Sequence, residues 1–396
     1  MKRRDVLRSG SALAVNALWP FAVLAQSHPE TGPASRSTVL SAWHQNASAS
    51  QTGGEFVGLF ELDWQTSQVR IRSKLAAPTR THGLLVLPDG GFVAVAVRPG
   101  RWMVRCDAQG EPLQWLRMES ESEGRTLDGH ACASADGRWL YTAETSPISG
   151  QGWVSVRDSQ TLRKVAQWRT HGVEPHHMLL DAAGNLMVAN GGLLRSEGDK
   201  KRDLQLMDSS LVKLDPRTGE RLGQWRLKDQ RLGIRHMAWS QPVAASSGVP
   251  MHKPLLGIAL QKEHDDLIRR RASPVLAVWD GETIQTPAAG EGGGGYSGDI
   301  VGSPDGGFVL SCLRTNTAFH WSPSAPKVMT VIAQLQDAGA LTHWPLADHA
   351  HGALLGSARG VARWHPAREP VFLKWPVGLA LDNHRSEEHT SELQSQ

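Results

Sequence analysis

From Thr38 to His384 the chain alternates short apolar runs with turns rich in glycine and proline. The runs are about five to eight residues long, which suits β-strands and is too short for amphipathic helices. One run recurs with a histidine or an acid at its start and a turn at its end: His82-Gly-Leu-Leu-Val-Leu-Pro-Asp-Gly90, His130-Ala-Cys-Ala-Ser-Ala-Asp-Gly137, His177-Met-Leu-Leu-Asp-Ala-Ala-Gly184 and Asp299-Ile-Val-Gly-Ser-Pro-Asp-Gly306. The closing glycine suits a tight hairpin because it accepts positive φ. A second apolar run follows and ends on polar residues, at 92–98, 139–144, 186–190, 256–261, 308–314 and 354–359. Two outer runs complete each unit, with Trp115, Trp168, Trp225 and Trp375 recurring near the end of the fourth. Four strands repeated at roughly 50 residues predict an all-β, seven-bladed β-propeller.

Blades begin near Thr38, His82, His130, His176, Arg235, Ser297 and Gly339. Thr38 opens on the second strand of its blade. The segment Val377-Gly-Leu-Ala-Leu-Asp-Asn-His384 is therefore expected to supply the missing inner strand, closing the propeller by pairing of N- and C-terminal strands and removing exposed edges. Forty glycines and 22 prolines, spread along the chain, agree with so many turns.

The two ends stand outside the repeat. Residues 1–25 join Lys2, Arg3, Arg4 and Arg8 to an apolar stretch from Ala12 to Leu24 and read as a signal peptide. Arg3-Arg4 before Asp5-Val6-Leu7 resembles the twin-arginine signal, which is read by a translocase that carries folded proteins. The expected location is the periplasm. The stretch is shorter than the roughly 20 residues a bilayer needs, so no membrane association is expected after cleavage. Residues 26–37 read as a linker and 38–384 as the propeller. Residues 385–396 resemble the conceptual translation of a sequencing adapter, are expected not to be native, and receive no function.

The formal charge is +3; the leader's four basic residues less Asp5 account for +3, which leaves the remainder near zero. The dense basic run Arg269-Arg270-Arg271 reads as a solvated loop, so no nucleic-acid footprint is expected. Cys106, Cys132 and Cys312 lie inside apolar runs and read as small core residues. The chain has no Cys-x-x-Cys-His, which excludes covalent c-type haem, and no Gly-x-Ser-x-Gly nucleophile elbow.

Inner strands of a propeller begin near the central channel, so a residue type repeated there converges from blades distant in sequence. His82, His130, His176 or His177, His236 and His384 hold that place, with Asp299 in the sixth blade and Gly339 breaking the pattern in the seventh. Imidazoles with one carboxylate suit copper, iron or zinc, which makes His82, His130, His176, His236, Asp299 and His384 the candidate metal ligands. Histidine at a strand entry also bridges backbone and hydroxyl groups, a use that Gly129-His130 fits, and acid-base catalysis is a third reading. The ends of the second strands supply a second set: Arg98, Glu144, Asn190, Gln261, Arg314 and Arg359. Its guanidiniums suit an anionic ligand, and the alternative is that these residues satisfy turn carbonyls.

The motifs His171-Gly-Val-Glu-Pro-His-His177, Val188-Ala-Asn-Gly-Gly192, Met207-Asp-Ser-Ser-Leu211 and Leu232-Gly-Ile-Arg-His-Met237 resemble the bacterial family domain of unknown function 1513. The resemblance implies a twin-arginine-exported seven-bladed propeller, encoded beside imelysin-type periplasmic proteins linked to iron uptake. It marks His176, Asn190, Arg235 and His236, and adds Arg235 to the candidate ligand-binding residues. The chain departs from the pattern at Leu193-Leu194-Arg195, where the resemblance implies a threonine-histidine step. The function expected first is a periplasmic binding or accessory protein in iron or other metal handling, with periplasmic iron-uptake proteins as partners and a metal or small anion at the channel mouth. A lactonase-like hydrolase and a protein-interaction scaffold without a small-molecule site are the alternatives.

Overall fold

The computed structural model describes residues 21–24, 36–45, 53–196, 199–242, 253–290, 292–344 and 351–376, the first of these by its backbone alone. These residues form seven antiparallel sheets whose strands run outward in chain order, the seven-bladed propeller expected from the repeat. Blade 2 comprises Thr81–Val86, Phe92–Ala96, Trp102–Cys106 and Pro112–Arg117. Blade 3 comprises Thr126–Ala133, Trp139–Thr145, Gln151–Asp158 and Lys164–Val173. Blade 4 runs through Pro175–Leu180, Leu186–Asn190, Ser210–Leu214 and Arg221–Trp225, and a small hairpin, Leu194–Arg195 with Lys201–Arg202, rises from its middle connection. The inner strands of blades 5, 6 and 7 are Leu232–Trp239, Asp299–Gly302 and Leu341–Trp344.

The recurring turn glycines Gly90, Gly137, Gly184 and Gly306 have φ of +84°, +68°, +82° and +80°, so the hairpins between first and second strands close as the sequence pattern predicts. The aspartate before three of them caps the turn from its side chain. Asp89 accepts from the Gly91 amide at 3.0 Å and Asp136 from the Arg138 amide at 3.1 Å.

Apolar residues of one blade pack on the next, so the core is a ring of inter-blade layers. Leu40 and Val57 of blade 1 meet Phe92 and Val104 of blade 2, and Met187 and Leu211 of blade 4 meet Ile234 and Ile258 of blade 5. The recurring tryptophans join these layers. Trp225 packs edge-on against Trp279 of the next blade at 4.9 Å, and the Trp168 indole donates to the Pro216 carbonyl at 3.2 Å. Cys106, Cys132 and Cys312 are buried and unbridged, and burial pushes each thiol up to about 12, in keeping with core packing.

The inner edge of blade 1 differs from expectation. Val377–His384 lies outside the described residues, and His384 with it. Beside Arg36–Gln45 runs Phe21–Leu24, within the stretch expected to be a signal peptide, in antiparallel register from Phe21 opposite Ser41 to Leu24 opposite Thr38. The segment Phe-Ala-Val-Leu is apolar and short enough to pair with an otherwise open edge. Between blades 7 and 1, Trp43, Phe60 and Trp64 pack with Trp344, Leu354 and Trp375. Phe60 lies 4.9 Å from the Trp43 ring and 5.5 Å from the Trp375 ring. Phe60→Ala is expected to cost about 3–5 kcal/mol in denaturant unfolding; a loss under about 1 kcal/mol would mean that this apolar seam does not hold the ring closed.

Candidate functional site

A regular strand alternates its side chains between two faces and cannot aim consecutive residues into a narrow channel. Four inner strands solve this with a bulge. The register slips between Thr81 and Gly83, between Leu127 and Ala131, between Pro175 and Met178, and between Ile234 and Met237. Each slip contains a histidine, and a bulge re-aims the residue it carries. His82, His130, His176 and His236 thus meet from four successive blades, with one ligand atom of each within 4.8 Å of all the others. Blade 6 pairs without a slip and contributes Asp299, and blade 7 has Gly339. The predicted ring is an arc on one side of the channel.

Close backbone approach makes the arc possible. Gly129 has φ +99°, and a Cβ there would fall 2.6 Å from His82 Cδ2; one on Gly83 would fall 2.1 Å from the Gly129 carbonyl oxygen. The glycines flanking His82 and His130 let blades 2 and 3 interlock.

Hydrogen bonds fix the ring orientations. Asp299 Oδ1 lies 3.0 Å from His236 Nδ1, while its Oδ2 accepts from the Leu341 amide at 2.8 Å. With Nδ1–H donating to that carboxylate, His236 presents its Nε2 lone pair to His130 Nε2, 3.1 Å away. Metal-ligand nitrogens at about 2.0–2.1 Å from one ion are about 2.9–3.3 Å apart, so this separation fits a shared ion. His176 and His236 stack at 4.9 Å. His177 points its Nδ1 at the Met237 amide, from which it accepts at 3.2 Å, and belongs to the supporting layer.

Burial, the mutual charge of neighbouring imidazoles and nearby guanidiniums hold His82, His130 and His176 well below the usual imidazole range. Burial takes His177 down to about 3. These rings are neutral at neutral pH, the form that binds metals.

Two residues upstream of His82, His130 and His176 lies a second, polar layer. In blade 4 it is Glu174, buried, whose Oε1 accepts from Arg195 Nη2 at 2.8 Å and from Arg235 Nη1 at 3.0 Å, with Arg98 Nη1 at 3.3 Å. Burial works to raise the Glu174 pKa, but the three guanidiniums outweigh it and hold the carboxyl well below the usual range. In blade 3 the equivalent residue is Asp128, which accepts from the Thr145 hydroxyl at 2.6 Å and is pushed up to about 8 by burial. Arg80 and Asp337 hold the same register in blades 2 and 7. The upstream spacing was present in the sequence, yet the residue types differ from blade to blade, so no repeated letter marked the layer.

The second predicted set does not assemble as one group. Arg98 reaches the site, where its Nη1 lies 3.3 Å from His176 Nδ1, and Arg235 joins it through Glu174. Glu144 is locked inside blade 3 by Arg157 at 2.7 Å, and Asn190 donates to the Thr170 carbonyl at 3.1 Å behind Gly172. Gln261 donates to Glu263 at 2.8 Å, Arg314 stands over the Tyr296 ring at 4.9 Å, and Arg359 is exposed in a hairpin. The second strands of blades 2, 6 and 7 end at Ala96, Cys312 and Ser357, so Arg98, Arg314 and Arg359 follow the strand ends on turns of different shape.

Residues 75–387 match the family described as Protein of unknown function (DUF1513), which is more than half of the chain. The chain belongs to that family. No curated protein matches it. Among solved structures, this DUF1513 propeller is similar to Kuenenia stuttgartiensis hydrazine synthase, with TM-score 0.54 and 11% identity over 82% of this chain and 92% of that one. A streptogramin B lyase structure gives TM-score 0.52 at 8% identity, over 76% and 84% of the two chains. Virginiamycin B lyase from Staphylococcus aureus gives 0.50 at 10% identity, over 75% and 85%. These likenesses show the propeller fold. Within it, His176 and His236 lie in the arc, Arg235 beside it on Glu174, and Asn190 in the packing behind it. Arg195, after Leu193-Leu194, binds Glu174 and Asp199.

The site's protonation gives a stability prediction. An imidazole that is neutral when folded and ordinary when unfolded contributes no pH dependence above about 6.5, and loses on the order of 1 kcal/mol per pH unit below it. Four such rings act in this sense. Asp128 and Asp337, raised to about 8 and about 7 by burial, act in the opposite sense because the folded state holds their protons. The imidazoles outnumber them, so the urea midpoint is expected to fall from pH 7 to pH 5.5, and Asp128→Asn is expected to steepen that fall. A midpoint that is flat or rises toward acid would contradict neutral, buried rings.

Proposed function

We propose that this DUF1513 protein is an exported metal-binding accessory protein that holds one first-row transition-metal ion among His82, His130, His176 and His236. The observation that carries the reading is the convergence of four imidazoles from four blades, with ligand atoms mutually within 4.8 Å. Histidines that serve only packing bond to backbone or hydroxyl groups of their own blade; here the principal ring contacts are to one another, to Asp299 and to Arg98. The Asp299–His236 bond supplies the outer carboxylate that ligating histidines commonly have, fixing the tautomer with its lone pair inward. Neutral nitrogen ligands without a thiolate suit copper, zinc and iron, and predict affinity falling from Cu(II) to Zn(II) to Fe(II). The leader carrying Arg3-Arg4 supports a periplasmic location, and the proposed role is metal handling beside periplasmic iron-uptake proteins.

Elemental analysis of protein prepared without a histidine tag tests this. After loading and desalting, about one equivalent of metal is expected, with His130→Ala losing it and Asp299→Asn weakening affinity about 10- to 100-fold. Retention below roughly a tenth of an equivalent with copper, zinc and iron alike would overturn the reading. Hydrolysis of lactones by metal-free protein, abolished in His176→Ala, would transfer the arc to the hydrolase alternative.

A further inference from the structure

Arg235 lies beside His236 in the blade 5 bulge and is only 3% exposed, yet its Nε and Nη2 have no hydrogen-bond partner among the described residues. Its remaining nitrogen, Nη1, donates to Glu174. A buried guanidinium that leaves donors unused has given up hydration without a replacement. Arg80, half-buried in the second layer of blade 2, makes no side-chain hydrogen bond or ion pair among the described residues. The nearby acids are engaged elsewhere: Glu174 with Arg98, Arg195 and Arg235 Nη1, Asp128 with Thr145, Asp199 with Arg98 and Arg195, Asp299 with His236 and Leu341, and Glu55, which attracts Arg80 through space, with His44 at 3.2 Å. None of them accepts from Arg80 or from the two vacant Arg235 nitrogens.

Metal binding would also release Arg98 from His176. In the metal-free protein His176 Nδ1 accepts from Arg98. A neutral imidazole has one lone pair. If the ion takes Nδ1, Arg98 is displaced; if it takes Nε2, the proton resides on Nδ1, which then cannot accept. Either way Arg98 Nη1 loses its contact with His176 and keeps only Glu174, 3.3 Å away, at the moment a cation arrives beside it.

We infer that Arg80, Arg98 and Arg235 form an oxyanion site coupled to the imidazole arc, so that a small carboxylate or tetrahedral oxyanion binds together with the metal ion. Guanidinium forks match both anion shapes through paired N–H donors. The anion satisfies donors that the metal-free protein leaves idle and offsets the charge of the ion. By linkage each ligand raises the affinity for the other by the same factor.

The inference rests on the metal reading, and the test separates the two. Zn(II) is titrated into the protein at fixed ionic strength and pH in chloride, acetate or sulfate, with correction for complexation in solution. Sulfate is also titrated into metal-free protein. Zinc affinity is expected to be about tenfold tighter in acetate or sulfate than in chloride. That salt dependence should vanish in Arg235→Gln and shrink in Arg80→Gln. Arg80 makes no side-chain bonds, so its variant keeps the test valid if Arg235→Gln folds poorly. A preference for acetate over sulfate would assign the site to carboxylates, and the reverse to tetrahedral oxyanions. Equal zinc affinity in all three salts, or a salt dependence that survives Arg235→Gln, would overturn the anion site while leaving the metal site standing. Sulfate binding without any zinc binding would overturn the metal reading and the coupling with it while leaving an anion site, and neither would overturn both.

Discussion

The channel mouth is organised by one buried carboxylate. Glu174 accepts from three guanidiniums that arrive from different parts of the chain, Arg98 after the second strand of blade 2, Arg195 on the hairpin of blade 4 and Arg235 in the bulge of blade 5. Its other oxygen accepts from the Leu193 amide at 3.2 Å, and its backbone carbonyl from the Gly191 amide at 2.8 Å. Glu174 itself has φ +55°, a left-handed conformation that costs a non-glycine residue about 1 kcal/mol or more and persists only where surroundings impose it. Without this acid three buried cations would repel one another. With it, Arg98 is held against His176 and Arg235 beside His236, so the geometry of the imidazole arc depends on a residue outside it.

The arc is costly in isolation, since neutral imidazoles crowded together lose hydration and resist protonation. The propeller supplies the offset at a distance, through apolar layers between every pair of neighbouring blades, and those layers do not involve the channel. This division lets the inner strands carry bulges, left-handed residues and idle donors that a small domain would tolerate poorly. The glycines that interlock blades 2 and 3 belong to the same compromise: Gly83 and Gly129 give up side chains so that His82 and His130 can approach.

The repeat was readable because the blades share a period, four of them reuse the same turn and four the same outer tryptophan, so the fold and the blade boundaries follow from residues such as Gly90, Gly137 and Gly306. The four arc histidines were readable for the same reason, since a repeated letter at a repeated place survives the loss of three-dimensional information. What was not readable lacked repetition. Arg80, Asp128 and Glu174 occupy one layer with three chemistries, and Arg195 enters from a hairpin that no other blade carries among the described residues. The second-strand set shows the converse limit. Arg98, Glu144 and Arg359 share a place in the alignment, but turn geometry beyond the strand ends decides where each side chain goes, and only Arg98 turns inward. Asp299 is intermediate, found at the right position and placed by the structure as the partner of His236.

The central claim is that one ion is bound by imidazoles contributed by blades 2, 3, 4 and 5. X-ray absorption spectroscopy of the protein loaded with a single equivalent of Zn(II) measures this directly, because imidazole ligands give a characteristic multiple-scattering pattern. The account predicts a first shell of nitrogen or oxygen at about 2.0–2.1 Å with scattering from three or four imidazoles, reduced by one in His130→Ala. A first shell with one imidazole or none, or a pattern unchanged in His130→Ala, would contradict it.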